Sequence, residues 1–275
     1  MNLFQVARDN AEALSRRYES MRAAMGTAVP HLDRFVASVE REGRLAFNLR
    51  QTDLLRFLAL EGRYDNVYEW ADDLERRTDR PREELVRDRE KDYYDRRMAF
   101  DRLLVQSERL RYGALNLGGL GATLFGDYCL VFQDAFAAGL AELVYLWGNS
   151  LETYLLPGCV VDEAGLRRDT CLHSHRHFLA ALKHGEEAAS LEEERWPVLV
   201  CSRDGFIEAI FVGSPVPGDL QAVRMDQFDF ELYSAFLVDA ALGRLSGSDR
   251  HVAEEFDILL SLLERHSVPL EKVAA

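Results

Sequence analysis

The stretch FIEAIFVG, residues 206–213, is the most informative segment of the chain. Alternate residues of an extended strand point to opposite sides, and both sides of this stretch are apolar except at Glu208. The pattern predicts a strand that is covered on both faces. Burying an unpaired carboxylate is unfavourable. Glu208 is therefore expected either to open onto a polar cleft as a functional group, or to face solvent or an arginine with a purely structural role.

Short strands and turns continue on both sides of this stretch. Between residues 110 and 225, apolar runs of strand length are separated by Gly, Pro and Asp residues that favour turns. The predicted strands are 110–117, 128–132, 142–147, 197–202, 206–213 and 219–225, and the predicted helices are 172–183, 230–243 and 249–266. We therefore expect residues 109–275 to form an α+β domain that ends in helices.

Residues 1–108 show helical periodicity instead. Apolar side chains recur at three- and four-residue intervals, which is typical of helices with one buried face. The predicted helices are 2–24, 30–39, 45–60, 66–76 and 81–107. In the last of them, REELVRDREKDYYDRRM places opposite charges at helical spacing, which favours a solvated face. We expect these residues to form a separate N-terminal helical bundle.

Composition and charge exclude several functions. The chain has 275 residues, of which 48% are hydrophobic, and no apolar run approaches the length of a membrane span. Residues 1–110 carry 21 basic and 22 acidic side chains, whereas the remainder carries 12 and 25. Such an acidic second half disfavours nonspecific binding to nucleic acid. The N-terminus becomes polar too early for a signal peptide, and the four cysteines lack CxxC spacing. These features predict a cytoplasmic protein with reduced thiols, or one delivered into another cell by a dedicated export machine.

Four segments in the second half resemble one family when they are taken together and in order. They are RLRYGALNL at 109–117, FGDY at 125–128, WGNS at 147–150, and FIEAIFVG at 206–213 followed by LQAV at 220–223. This series resembles bacterial domains of the ADP-ribosyltransferase superfamily, including members linked to toxins. The resemblance covers about residues 105–228.

The resemblance implies a split, curved β-sheet that holds NAD as a substrate in a cleft. Glu208 matches the catalytic glutamate, which bonds the nicotinamide ribose and stabilises the oxocarbenium-like centre as nicotinamide leaves. Arg109 matches the arginine that binds the NAD phosphates or ribose, and Arg111, two residues on, is the alternative. Tyr112 and Asn116 are expected to shape the cleft. Asp127 and Ser150 complete the candidate cofactor-binding set.

Two departures from the family pattern keep other functions open. Asp127 stands where the family usually has a small residue, and Asn149 replaces an Asp in the WGNS turn. The leading hypothesis is an NAD-dependent ADP-ribosyltransferase, of the kind found in toxins and effectors, that modifies a macromolecule, more readily a protein than a nucleic acid. Its N-terminal helices would bind the target or an inhibitor, and no membrane partner is expected. The alternatives are a non-catalytic regulator with a degenerate fold and an NAD glycohydrolase.

A second group of residues suggests a different chemistry. Cys171, His173, His175 and His177 would share one face of a strand, and His173 and His177 would share one face of a helix. Thiolate and imidazole groups are zinc ligands, so a zinc hydrolase is a third hypothesis. The following FLAALKHG is helical in pattern, which favours exposed histidines at a helix N-terminus and no metal.

Overall fold

The computed structural model describes residues 1–59 and 64–274, which form a mixed α/β fold. The helices are α1 (Leu3–Ala24), α2 (Val29–Glu42), α3 (Gln51–Ala59), α4 (Val67–Thr78), α5 (Arg82–Glu90), α6 (Tyr94–Leu103), α7 (Asp134–Gly139), α8 (Ser150–Thr153), α9 (Glu163–Asp169), α10 (Arg176–Ala188), α11 (Trp196–Val200), α12 (Gln227–Ala241) and α13 (Gly247–Arg265). The strands are β1 (Arg44–Leu49), β2 (Leu110–Asn116), β3 (Tyr128–Phe132), β4 (Leu143–Leu146), β5 (Leu155–Leu156), β6 (Val160–Val161), β7 (Cys171–Leu172), β8 (Glu208–Val212), β9 (Leu220–Asp226) and β10 (Leu270–Val273).

Eight of the described strands form one mixed sheet. Its order is β10-β9-β3-β1-β2-β8-β4-β7, and β5 pairs with β6 in a separate hairpin. The neighbours are antiparallel except for β10 and β9, which run parallel. The predicted strands at 110–117, 128–132, 142–147, 206–213 and 219–225 are confirmed as β2, β3, β4, β8 and β9. The split, curved sheet that the family resemblance implies stays a prediction.

The predicted helix over 45–60 is wrong at its start. Residues 44–49 form β1, which lies in the middle of the sheet between β2 and β3, and only 51–59 are helical; residue 60 lies outside the described part of the chain. Leu45, Ala46 and Phe47 are buried on both faces, so the alternation that marks a half-exposed strand is missing here. The predicted domain boundary at 108 therefore does not coincide with a break in the sheet.

The N-terminal helices pack against the second half of the chain. α1 and α2 both contact α10, and α1 also contacts β7. The largest hydrophobic cluster joins Leu14 and Phe35 from these helices with Tyr145 and Phe211 from the sheet. A smaller cluster holds α4 and α5 together around Leu85. The helices of residues 1–103 are thus layers over the sheet and not a free-standing bundle.

Two further predictions differ from the structure. The segment 197–202 is not a strand, because Pro197 lies in the first turn of α11, where proline is well tolerated. The long helix predicted over 81–107 is broken into α5 and α6 by a short 3₁₀ turn that begins at Lys91, whose φ is 49°. After this break, Phe100 of α6 packs with Leu110 and Ile210 of the sheet.

Candidate active site

Glu208 lies at the start of β8, in the interior of the sheet. Its neighbours across the strands are Ala114 of β2 and Leu146 of β4. Its side chain shares a face with Ile210, which packs in a cluster with Phe4 and Phe100. Glu208 is only 5% exposed, so the expectation of a strand covered on both faces, with one carboxylate inside it, is confirmed.

The turn between β4 and α8 supplies a hydrogen bond to this carboxylate. The backbone N–H of Ser150 donates to Glu208 Oε2 over 2.9 Å. The Asn149 side chain accepts from the Leu151 N–H at 3.0 Å and so fixes the turn. The Ser150 Oγ is fully buried and makes no hydrogen bond of good geometry among the described residues, although it lies close enough to lower the pKa of Glu208. The WGNS segment is thus brought to Glu208.

Helix α6 brings a buried guanidinium to the same place. The Arg97 guanidinium carbon lies 4.0 Å from the centre of the Tyr112 ring, a cation–π contact. Arg97 nitrogens also lie 3.6 Å from a Glu90 oxygen and 4.0 Å from an Asp101 oxygen. Arg97 Nε and Nη1 are buried with no hydrogen-bond partner within the described part of the chain. Buried donors without a hydrogen bond are rare in folded proteins, and here the guanidinium is held by ion pairs and the Tyr112 ring.

Two tyrosines complete the cluster around α6. The Tyr112 hydroxyl donates to Asp101 Oδ1 at 3.1 Å, and the Tyr68 hydroxyl donates to Asp101 Oδ2. Burial raises the pKa of Asp101, while Arg97 and the two hydroxyl groups act against this rise. We name Glu208, Ser150, Arg97, Asp101 and Tyr112 the Glu208 cluster.

Burial is the largest influence on the pKa of Glu208. Loss of solvent raises the pKa of its carboxyl from 4.5 to about 7, against the opposing effects of Ser150 and the Arg97 charge. Asp101 adds to the rise. At neutral pH the carboxyl is therefore close to its titration midpoint. Strongly perturbed carboxyl groups of this kind are typical of functional sites.

Lys183 of α10 fixes the ends of the two strands that carry the site. Its ammonium donates to the carbonyl oxygen of Phe206, just before β8, at 2.9 Å and to that of Trp147, just after β4. Burial alone lowers the pKa of Lys183 to about 8. Next to it, His184 Nε2 lies 2.8 Å from the carbonyl oxygen of Gly205. These contacts hold the start of β8 and the turn at Ser150 in register.

The predicted site residues fall into two groups. Tyr112 and Ser150 lie with Glu208. Arg109 is exposed in a 3₁₀ turn, and its Nη1 donates to Gln106 at 2.8 Å. Arg111 is buried in β2, but its guanidinium is bound to Glu69 at 2.6 Å and to the carbonyl oxygen of Tyr64. The guanidinium that acts on Glu208 is that of Arg97.

Asn116 and Asp127 lie outside the Glu208 cluster. The Asn116 side chain is buried at the end of β2, where Oδ1 accepts from the Gly118 N–H at 2.8 Å and from Arg224 at 3.0 Å. It shapes the turn after the strand. Asp127 is exposed just before β3, and its charge acts on Asp229 of α12.

The cysteine–histidine group does not gather around one point. The described residues, 1–59 and 64–274, contain no set of three or more His, Cys, Asp or Glu side chains placed to hold a metal ion. His173 and His175 lie in a 3₁₀ turn that leads into α10, so the strand alternation ends after Cys171 and Leu172. His173 Nδ1 lies 3.2 Å from the Tyr145 hydroxyl, and burial lowers the pKa of His173 to about 4.

A cavity of about 350 Å³ adjoins the turn at Ser150. Trp147 and Tyr154, which flank this turn, form part of its wall, and the Tyr154 hydroxyl accepts from the Trp147 N–H at 3.1 Å. The guanidinium of Arg168 and that of Arg17 also line it, both paired with Asp169. Its volume is that of an ordinary small-molecule site, and its lining combines aromatic rings with two guanidinium groups and the carboxylates of Asp162 and Asp169.

Sequence reasoning missed Arg97 and Asp101. Both lie in the stretch EKDYYDRRMAFD, whose density of charge predicts a solvated helix. The spacing of Arg97 and Asp101 is i, i+4, and Phe100 and Leu104 have the same spacing and are buried. A charged pair at helical spacing, with buried apolar residues next to it at Phe100 and just after the helix at Leu104, was the available signal for a buried ionic cluster.

Comparison with protein-family models finds no match for this chain, and comparisons with curated proteins and with solved structures find none either. In the described ranges, no helix is both long enough and apolar enough to cross a membrane.

Proposed function

We propose that the chain cleaves the N-glycosidic bond between nicotinamide and ribose in NAD and transfers ADP-ribose to a macromolecular acceptor, as toxins and effectors of the ADP-ribosyltransferase superfamily do. The observation that carries the proposal is the buried carboxylate of Glu208 beside the Ser150 N–H and the Arg97 charge. The order of the four segments that resemble the family supports it.

The chemistry of such a reaction suits this carboxylate. When nicotinamide leaves, positive charge develops on the ribose carbon, and a fixed anion in a water-poor site stabilises that charge. The Ser150 N–H orients the carboxylate, and Arg97 favours its charged form. The Asp101 carboxylate and the Tyr112 ring hold Arg97 in place.

The cavity next to the turn provides room for the rest of the substrate. Trp147 offers a ring for stacking, and a diphosphate would replace Asp169 as the partner of Arg17 and Arg168. In this arrangement Arg17 and Arg168 bind the NAD phosphates, which the resemblance assigns to Arg109 or Arg111. Arg97 Nε and Nη1, which make ion pairs but no hydrogen bond, would donate to substrate oxygens.

One observation favours a second candidate, a non-catalytic regulator with a degenerate fold. The sheet face that carries Glu208 is covered by α1 and α6, whose Phe4 and Phe100 pack with Ile210. A substrate must therefore enter past the turn at Ser150 or displace α6.

The test is incubation of the protein with NAD labelled in its ADP-ribose part, alone and with a cell lysate. Transfer of label to a macromolecule by the wild type, and not by Glu208→Gln, supports the transferase. Nicotinamide release without labelled macromolecule identifies an NAD glycohydrolase instead. Equal, background turnover by both proteins favours the regulator.

A further inference from the structure

Helix α12 has an unusual surface. Ten of its 15 residues are hydrophobic, yet the helix contains no buried residue. A helix that is apolar around its circumference is normally buried on all sides. In this protein, α12 lies at the periphery, against α13 and the β9–β10 edge of the sheet.

The inner side of α12 is packed as expected. Phe230 and Tyr233 make edge contacts with Phe256 of α13, with ring centres 6.0 and 5.5 Å apart. Together with Leu237 they border the main hydrophobic core. This packing accounts for three of the ten hydrophobic side chains of the helix.

Four others, together with Leu242 just after the helix, face solvent. Phe228 is 72% exposed, Val238 60% and Leu242 56%, and Leu232 is also exposed. At 3.6 residues per turn, these side chains and Ala235 lie on one side of the helix. We name Phe228, Leu232, Ala235, Val238 and Leu242 the α12 outer face. Glu231 and Asp239 fall on the same side, so this face mixes exposed apolar side chains with carboxylates. Apolar side chains exposed together mark a binding site more often than single exposed residues do.

The surroundings of this face are acidic. α12 carries Asp229, Glu231 and Asp239 and no basic residue, and residues 227–265 together carry eight acidic and three basic side chains. Near the N-terminus of α12, Asp127 and Asp226 lie close enough to Asp229 for their charges, after burial, to raise its pKa. None of these three carboxylates has an ion pair within the part of the chain that the structure describes.

We propose that the α12 outer face binds a basic amphipathic helix of a partner protein, whose apolar side covers Phe228, Leu232 and Val238 and whose Lys or Arg side chains meet the acidic rim. The negative charge around the α12 outer face favours a basic partner over a second copy of this chain. A second copy of this chain would bring carboxylates against carboxylates, which costs free energy. This surface lies on α12 and does not depend on the chemistry of Glu208.

The test uses a synthetic 14-residue peptide of Leu and Lys with helical amphipathic spacing. Its controls are a scrambled peptide of the same composition and a peptide in which Glu replaces Lys. The proteins are the full chain, the variant Val238→Gln, and the matched control Val160→Gln, since Val160 is 58% exposed on the separate β5–β6 hairpin. Both positions are exposed, so both variants are expected to keep the wild-type melting temperature.

The amphipathic basic peptide should bind the wild type about tenfold more tightly than the scrambled peptide does, because burying side chains such as Val238 contributes roughly that factor. Val238→Gln should weaken binding of the basic peptide about fivefold to tenfold, and Val160→Gln should leave that binding unchanged. The affinity for the basic peptide should also fall as salt is added, because salt screens the acidic side chains around α12. Equal binding of the basic and acidic peptides, or equal effects of the two variants, would overturn the proposal. The proposal would also be overturned if the wild type self-associates and Val238→Gln abolishes that association. The same holds if the protein binds phosphatidylglycerol vesicles, but not the peptide, in a way that Val238→Gln weakens.

Discussion

Replacement of Glu208 by Gln should make the fold more stable at alkaline pH. In the folded protein, burial raises the pKa of this carboxyl from 4.5 to about 7, whereas in the unfolded chain it titrates near 4.5. Each pH unit of that interval corresponds to about 1.4 kcal/mol. The charged carboxylate therefore costs the folded state about 3 kcal/mol once the pH is well above 7.

The sign follows from the protons that each state binds. Between pH 4.5 and 7 the folded state holds the proton and the unfolded state loses it, so the stability from this group is present below pH 4.5 and falls as the pH rises through 7. Gln cannot ionise and avoids this loss. The gain from Glu208→Gln, relative to wild type, should therefore grow by about 2.5 kcal/mol between pH 5 and pH 8.

Urea unfolding followed by circular dichroism at both pH values measures this difference. The matched control is Glu186→Gln, on the exposed side of α10, whose effect should change by less than about 0.5 kcal/mol over the same range. If Glu208→Gln shifts the free energy of unfolding equally at pH 5 and pH 8, then the carboxylate is not desolvated and the reasoning fails.

Three further predictions concern the same sheet. If the charged form of Glu208 drives NAD cleavage, kcat/KM should rise about tenfold from pH 6 to pH 8, and a profile that is flat across this range excludes the role. Arg97→Met should lower the free energy of unfolding at pH 8 by about 3 kcal/mol, because it leaves buried carboxylates without their cation. Urea titration measures this loss, and an unchanged free energy of unfolding would mean that Arg97 is not coupled to Glu208. Gly113→Ala should destabilise the protein by about 2 kcal/mol, since its Cβ would lie 2.6 Å from the Ala46 carbonyl oxygen. Gly139→Ala, which meets nothing within 4 Å, is the control, and equal melting temperatures for the two variants would contradict the packing of β1 on β2.

The strand that carries Glu208 could be predicted from its apolar side chains on both faces. FIEAIFVG is short, β-rich in composition and apolar on both sides. The sequence left open whether Glu208 faces a cleft, solvent or an arginine, and the structure shows it buried. The turn at Asn149–Ser150 could be found only through its resemblance to a family, since nothing in its composition shows which strand it will contact.

The sequence prediction of residues 44–49 is wrong because a strand buried on both faces lacks the alternation of polar and apolar residues that identifies strands. RLAFNL at 44–49 is a central strand, but its Leu, Ala and Phe residues also suit a helix, and the segment runs directly into α3. Arg97 was missed for the opposite reason, because a stretch with many charges predicts exposure, and only the tertiary structure shows that this guanidinium lies over the Tyr112 ring. Long-range pairing of that kind leaves no local pattern.

Release of nicotinamide from NAD by the purified protein tests the central claim most directly. The account predicts measurable release by the wild type, a loss of about 100-fold or more in Glu208→Gln, and an unchanged rate in Glu186→Gln. A folded wild-type protein that releases no nicotinamide, or a Glu208→Gln variant that releases it at the wild-type rate, would contradict the claim that this buried carboxylate stabilises the departing sugar cation.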